Sequence, residues 1–154
     1  HDAVARQYIY KISRRRDAFA KSLVWWIKDD LDADAMAAAA SILKGRHDFR
    51  SFCEQEEGKR ASTIVDIELS KVWAEGDHIY FRIKASHFLW KMVRRIVGML
   101  AEVGRGNLTF DGFERLLKFE SNVPAKYTAP PSGLYLEEVF YSERSRRRGS
   151  RTRK

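Results

Sequence analysis

Between residues 88 and 103 the apolar side chains Phe88, Leu89, Met92, Val93, Ile96, Val97, Leu100 and Val103 recur at spacings of three and four. That recurrence has the period of an α-helix and gives it one broad apolar face, which must be buried against a second layer. The rest of the chain supplies that layer. Val4, Tyr8, Tyr10 and Ile12 alternate with Ala5, Gln7, Ile9 and Lys11, so residues 3–13 read as a strand. Residues 63–74 and 78–85 read as two more strands, joined at Glu75-Gly76-Asp77 by a tight hairpin turn. Residues 22–28 (SLVWWIK) form a short second strand or an irregular aromatic segment, and residues 134–141 the final strand. Asp32 or Asp34 caps an alanine-rich helix that runs to about Leu43 and stops at Gly45, and residues 111–119 make a shorter helix. Arg14-Arg15-Arg16-Asp17 reads as an exposed turn, residues 47–52 as a loop or tight turn, residues 55–59 as exposed and polar, and residues 124–133 as a loop. The order is strand, strand, helix, hairpin, helix, helix, strand. It predicts an α+β domain, a mostly antiparallel sheet with helices packed on one face.

A chain of 154 residues has room for one such domain. We expect it to occupy residues 1–141, with residues 142–154 as a basic disordered tail. No apolar run approaches the roughly 20 residues of a membrane helix, because Lys91, Arg94 and Arg95 interrupt the most apolar stretch. Membrane association is therefore not expected. A single cysteine, Cys53, excludes a disulfide framework and a four-thiolate zinc site, which points to a reducing, cytoplasmic setting. His1, His47, His78 and His87 are scattered without ligand spacing, so no metal is expected. The opening at His1, close to a strand and without a targeting pattern, reads either as a cut from something longer or as the visible part of a longer chain. The formal net charge of +8 is unevenly placed: residues 143–154 hold seven bases against one acid, leaving 22 bases and 20 acids before them. Net charge by itself does not make the folded part a nucleic-acid binder.

On a helical wheel Arg94 and Arg95 flank opposite edges of the apolar face, and Trp90, one turn earlier, is placed to stack on the Arg94 guanidinium. An arginine at the border of core and solvent is either a solvated edge or a partner for an anion. Asp29, Asp30, Asp32 and Asp34 suit a helix N-terminus better than a cation site. Trp25 and Trp26 are read as core packing on alternate faces, Cys53 as a buried or idle thiol, and Gly104-Arg105-Gly106 as a helix stop.

The wording of four segments adds more. Phe88-Leu89-Trp90-Lys91-Met92-Val93-Arg94-Arg95-Ile96-Val97-Gly98, continued by Leu100-Ala101-Glu102-Val103-Gly104, closely resembles the signature of the tRNA pseudouridine synthase A family. Arg6-Gln7-Tyr8-Ile9-Tyr10 resembles its R-x-Y-x-Y strand. Gly45 with Asp48-Phe49-Arg50-Ser51-Phe52 resembles its G-x-x-D-F-x-x-F segment, and Ala129-Pro130-Pro131-Ser132-Gly133-Leu134-Tyr135-Leu136 its A-P-x-x-G-L-Y-L loop and strand. The order and spacing agree over residues 6–141, and the resemblance is to the C-terminal half of the family.

The resemblance implies half of a pseudouridine synthase fold and isomerisation of uridine to pseudouridine in tRNA, without metal or organic cofactor, by a homodimer with a basic cleft. It implies that Tyr8 packs on the flipped target base, where an aromatic face restores about 1–3 kcal/mol of lost stacking. It implies that Arg94 pairs with the catalytic aspartate, holding it ionised and directed, and that Leu134 and Tyr135 form a hydrophobic wall near the pocket. The family's aspartate lies in a G-R-T-D-A-G-V-H loop that this sequence lacks. The chain thus carries half an active site and is expected to be inactive alone. Two other readings are a non-catalytic RNA-binding and dimerisation fragment, suggested by the arginine tail, and an assembly domain using Trp25, Trp26 and the apolar helix.

Overall fold

The computed structural model describes residues 3–55, 58 and 61–143; residues 144–154 of the expected tail, and most of residues 55–59, lie outside them. The described residues form one mixed six-stranded sheet and four α-helices. Strand β1 is Ala3–Ser13, β2 Trp25–Trp26, β3 Gly45–Asp48, β4 Ile64–Glu75, β5 His78–Ala85 and β6 Leu134–Tyr141. Helix α1 is Ala33–Ser41, α2 Met92–Gly104, α3 Phe110–Lys118 and α4 Val123–Lys126. The sheet runs β2-β1-β5-β4-β3, with β6 also paired to β1. Every pairing is antiparallel except β1–β2.

Strand alternation divides the sheet into two chemistries. On one face Tyr10, Ile12, Ile79, Phe81, Ile83, Val65, Ile67 and Val72 are buried against Met36, Ala39 and Leu43 of the first helical segment, Met92, Ile96 and Leu100 of α2, and Phe113 of α3. On the other face, Arg82 and Glu137 pair and Trp73 stacks on Tyr80 at 5.3 Å. The helices therefore sit on one face, as expected. Asp32 caps α1, its carboxylate accepting from the Ala35 N–H at 3.0 Å. Gly76 makes the β4–β5 turn at φ +58, a conformation that excludes most side chains.

Three expectations need correction. The central helix starts at Met92, not at residue 88, because Lys91 adopts the left-handed conformation (φ 64) and breaks the helical run. Arg95 is not at a solvated edge: it is 9% exposed, since α2 is enclosed by the sheet, α1 and the segment carrying Glu54, whose carboxylate lies 3.9 Å from Arg95. Residues 45–48, read partly as loop, form β3 through pairing with residues 64–67. Polar Arg46, His47 and Asp48 give that strand no alternation to read, and its partner supplies the order.

Candidate active site

Tyr8 stands near the middle of β1 on the helix-bearing face, half-buried, with its ring edge-on to Phe88 at 5.0 Å. Phe88, Leu89 and Trp90 cross beside it before α2 begins, and the first turn of α2 brings up Arg94. Pro131 and Leu134 close the remaining side. Together these residues line a cleft of about 530 Å³.

Arg94 is the anchor of this arrangement. Its Nε donates to the Ala129 carbonyl at 2.7 Å, and the Ala129 N–H donates to the Arg94 carbonyl at 3.0 Å. One residue later the Tyr10 hydroxyl donates to the Pro130 carbonyl at 2.6 Å. The proline-rich segment is thus clamped by two side chains, one from α2 and one from β1. Proline has no N–H to tie the segment down, so the carbonyls do it. The terminal guanidinium nitrogens of Arg94 have no hydrogen bond or carboxylate partner among the described residues. A half-buried guanidinium with unfilled donors in a cleft is an anion or carboxylate receptor.

Burial pushes the Tyr10 phenol far above its ordinary range, with the Arg94 guanidinium and the backbone at Gly133 opposing. A raised folded-state pKa stabilises the fold fully below the free phenol's value of about 10, and the contribution is lost as pH rises beyond it. The urea midpoint should therefore fall above about pH 10. Tyr10→Phe should flatten that alkaline arm while costing about 1 kcal/mol at neutral pH for the lost hydrogen bond. Identical alkaline arms in the two proteins would contradict this.

The cleft rim is strained and charged. Lys91 pairs with Glu54 at 2.6 Å, and this hydrogen bond holds the Glu54 carboxyl below the usual carboxylate range. The Lys91 ammonium also lies 5.1 Å from the Trp90 ring. The expected stack of Trp90 on Arg94 is absent, because Trp90 precedes the helix and is 61% exposed.

Of the residues singled out from sequence, Tyr8, Arg94 and Leu134 meet in one cleft. Tyr135 does not join them. Leu134 pairs with Tyr10 and Tyr135 with Ile9, so alternation turns Tyr135 to the opposite face. There its hydroxyl donates to the Leu23 carbonyl at 2.7 Å and Lys11 caps its ring at 4.5 Å. The hydrophobic wall is Leu134 with Pro131, and Tyr135 props the wall from behind. Sequence reasoning missed Ala129 and Tyr10 as the holders of this geometry, since backbone-directed bonds leave no residue-type signature. Asp48 proves structural: it accepts from the Thr63 hydroxyl at 2.6 Å and the Arg50 N–H at 3.0 Å, beside fully buried Phe49 and Phe52. Trp25 packs against the core, as expected, whereas Trp26 is 41% exposed.

Among the described residues no group of three or more His, Cys, Asp or Glu side chains is placed to hold a metal, and no helix is long and apolar enough to cross a membrane.

Fold and cleft together define an α+β domain whose cleft combines an aromatic face, an apolar wall and an arginine with unfilled donors. A family model described as tRNA pseudouridine synthase matches residues 39–142. The tRNA pseudouridine synthase A of Exiguobacterium sibiricum is 38% identical over 145 residues, covering 93% of this chain and 57% of its own length. That of Bartonella bacilliformis is 39% identical over 141 residues (90% and 57%), and that of Brucella ovis 37% over 142 (91% and 56%). The chain spans a little over half the length of these curated relatives. It belongs to the tRNA pseudouridine synthase family.

Proposed function

We propose that this chain forms the C-terminal wall of an active site that isomerises uridine to pseudouridine in tRNA. In that reaction the N1–C1′ bond breaks, C5 bonds to C1′, the C5 proton leaves and N1 gains one. Tyr8 packs on the flipped uracil beside Leu134 and Pro131, and Arg94 directs and ionises a catalytic aspartate supplied from outside this chain. The observation that carries the reading is the meeting of Tyr8, Leu134 and an unfilled Arg94 guanidinium in one cleft. The same reading takes the working unit to be a cytoplasmic homodimer that acts on tRNA without metal or cofactor.

Release of tritium from tRNA labelled at uridine C5 tests it, with this chain inside a polypeptide of its relatives' length. Tyr8→Ala should lower turnover about 5- to 150-fold, matching a lost stacking contact of about 1–3 kcal/mol, while Tyr8→Phe should retain a larger share because the ring face survives. Turnover unchanged in Tyr8→Ala would remove Tyr8 from the site.

A further inference from the structure

Outside the cleft, the positive charge of the folded part gathers in one place. Residues 14–28 hold Arg14, Arg15, Arg16, Lys21 and Lys28 against a single acid, Asp17, whereas the rest of residues 1–142 has 17 bases and 19 acids. The segment begins where β1 ends, five residues beyond Tyr8, or about 17 Å along the strand. Arg14, Arg15 and Arg16 are exposed, and none has a carboxylate partner among the described residues. Asp17, next in sequence, accepts the Phe19 N–H at 2.9 Å, and Asp77 lines the same groove. The Arg16 guanidinium lies over the ring of Trp26 at 5.5 Å, and Phe19 is 97% exposed.

The backbone of this loop is fixed rather than free. Arg14 N–H donates to the Asp77 carbonyl at 2.8 Å, and the Ser13 hydroxyl donates to the Arg15 carbonyl at 2.7 Å. The return of the loop is tied to the cleft wall: Tyr135 donates to the Leu23 carbonyl, and Ser132 to the Val24 carbonyl at 3.2 Å. A groove of about 490 Å³ runs between the loop and Asp77-His78.

Three unneutralised arginines beside two exposed aromatic rings suit a polyanion that also carries planar groups. A protein partner would meet the same charges but would need its own acidic patch to offset them. We infer that this loop is a second RNA-contact surface, in which Arg14, Arg15 and Arg16 take backbone phosphates while Trp26 and Phe19 take an unstacked base. The inference deepens the proposed function, on which the identity of the RNA as tRNA rests. It gives the substrate a grip at the far end of β1, linked through Ser132 and Tyr135 to the wall that lines the cleft.

The test is fluorescence anisotropy of end-labelled tRNA titrated with the full chain across a series of KCl concentrations. The triple variant Arg14→Gln, Arg15→Gln, Arg16→Gln changes only exposed side chains. Its affinity should fall about 10- to 100-fold at low salt, and the slope of log K against log salt should shrink by about 2–3, close to one per phosphate released. Phe19→Ala should weaken binding severalfold with the slope unchanged, since a ring releases no counterion. Unchanged affinity and slope in the triple variant would overturn the inference, as would a loss of self-association with tRNA binding intact, which would make the loop a protein contact. The two proposals part cleanly. Normal binding by the triple variant, with turnover still strongly lowered by Arg94→Ala, removes this surface and keeps the cleft. Weakened binding with full turnover in Arg94→Ala does the reverse.

Discussion

Arg94→Ala is expected to lower the turnover of tRNA uridine by about 10²- to 10³-fold, the cost of removing one oriented charged donor from a reacting site. The KM for tRNA should change little, because phosphate contacts elsewhere carry most of the binding. The variant has a second signature. If Arg94 holds a catalytic carboxylate ionised, its loss raises that carboxylate's pKa, and activity should fail at higher pH as the solution is acidified. Loss of the bond to the Ala129 carbonyl alone would lower stability without moving that acid limb. Arg94→Lys keeps the charge but not the planar fork, so it should restore the acid limb better than the rate. Turnover and pH profile both unchanged in Arg94→Ala would contradict the assignment.

Gly98→Ala is expected to destabilise the fold by upwards of about 3 kcal/mol, at the severe end of overpacked cores. A Cβ at Gly98 would stand 1.5 Å from the Tyr127 carbonyl oxygen and 2.6 Å from its carbon, both backbone atoms. Relief requires moving residues 127–129, and Ala129 is the partner of Arg94. The variant should therefore lose turnover before it loses the fold. Gly106→Ala is the control: at φ +80 it meets nothing within 4 Å, so only the left-handed backbone cost of about 1–2 kcal/mol applies. Urea denaturation of the pair measures the difference. Equal midpoints would show that the segment after α4 yields freely.

These residues also explain how much of the molecule could be read in advance. The strands β4 and β5 were legible because one face is buried and the other is not, which writes a period of two into the sequence. The central helix was legible from Met92 onward. Its false start at residue 88 came from Phe88 and Leu89, which are apolar because they line the cleft rather than because they continue the helix. Apolar lining and apolar core look alike in a sequence. Arg95 misled for the opposite reason, since burial of an arginine depends on a partner distant in sequence, here Glu54. Within the site, the motif residues Tyr8, Arg94 and Leu134 line one cleft, while Tyr135 turns away with the strand's alternation. Gly133 shows why the loop motif has a glycine before its leucine: a Cβ there would stand 2.6 Å from the Lys11 carbonyl oxygen and 2.7 Å from the Tyr10 ring. The motif is as much a packing rule between β1 and β6 as a chemical one.

The central claim, that this cleft is one wall of an active site whose carboxylate comes from elsewhere, is tested most directly by tritium release from C5-labelled tRNA. The 154-residue chain is measured alone and then within a polypeptide of its relatives' length. We predict no release by the chain alone and release by the longer polypeptide that Arg94→Ala lowers about 10²- to 10³-fold. Release by the chain alone would place the reacting carboxylate within these residues and contradict the account.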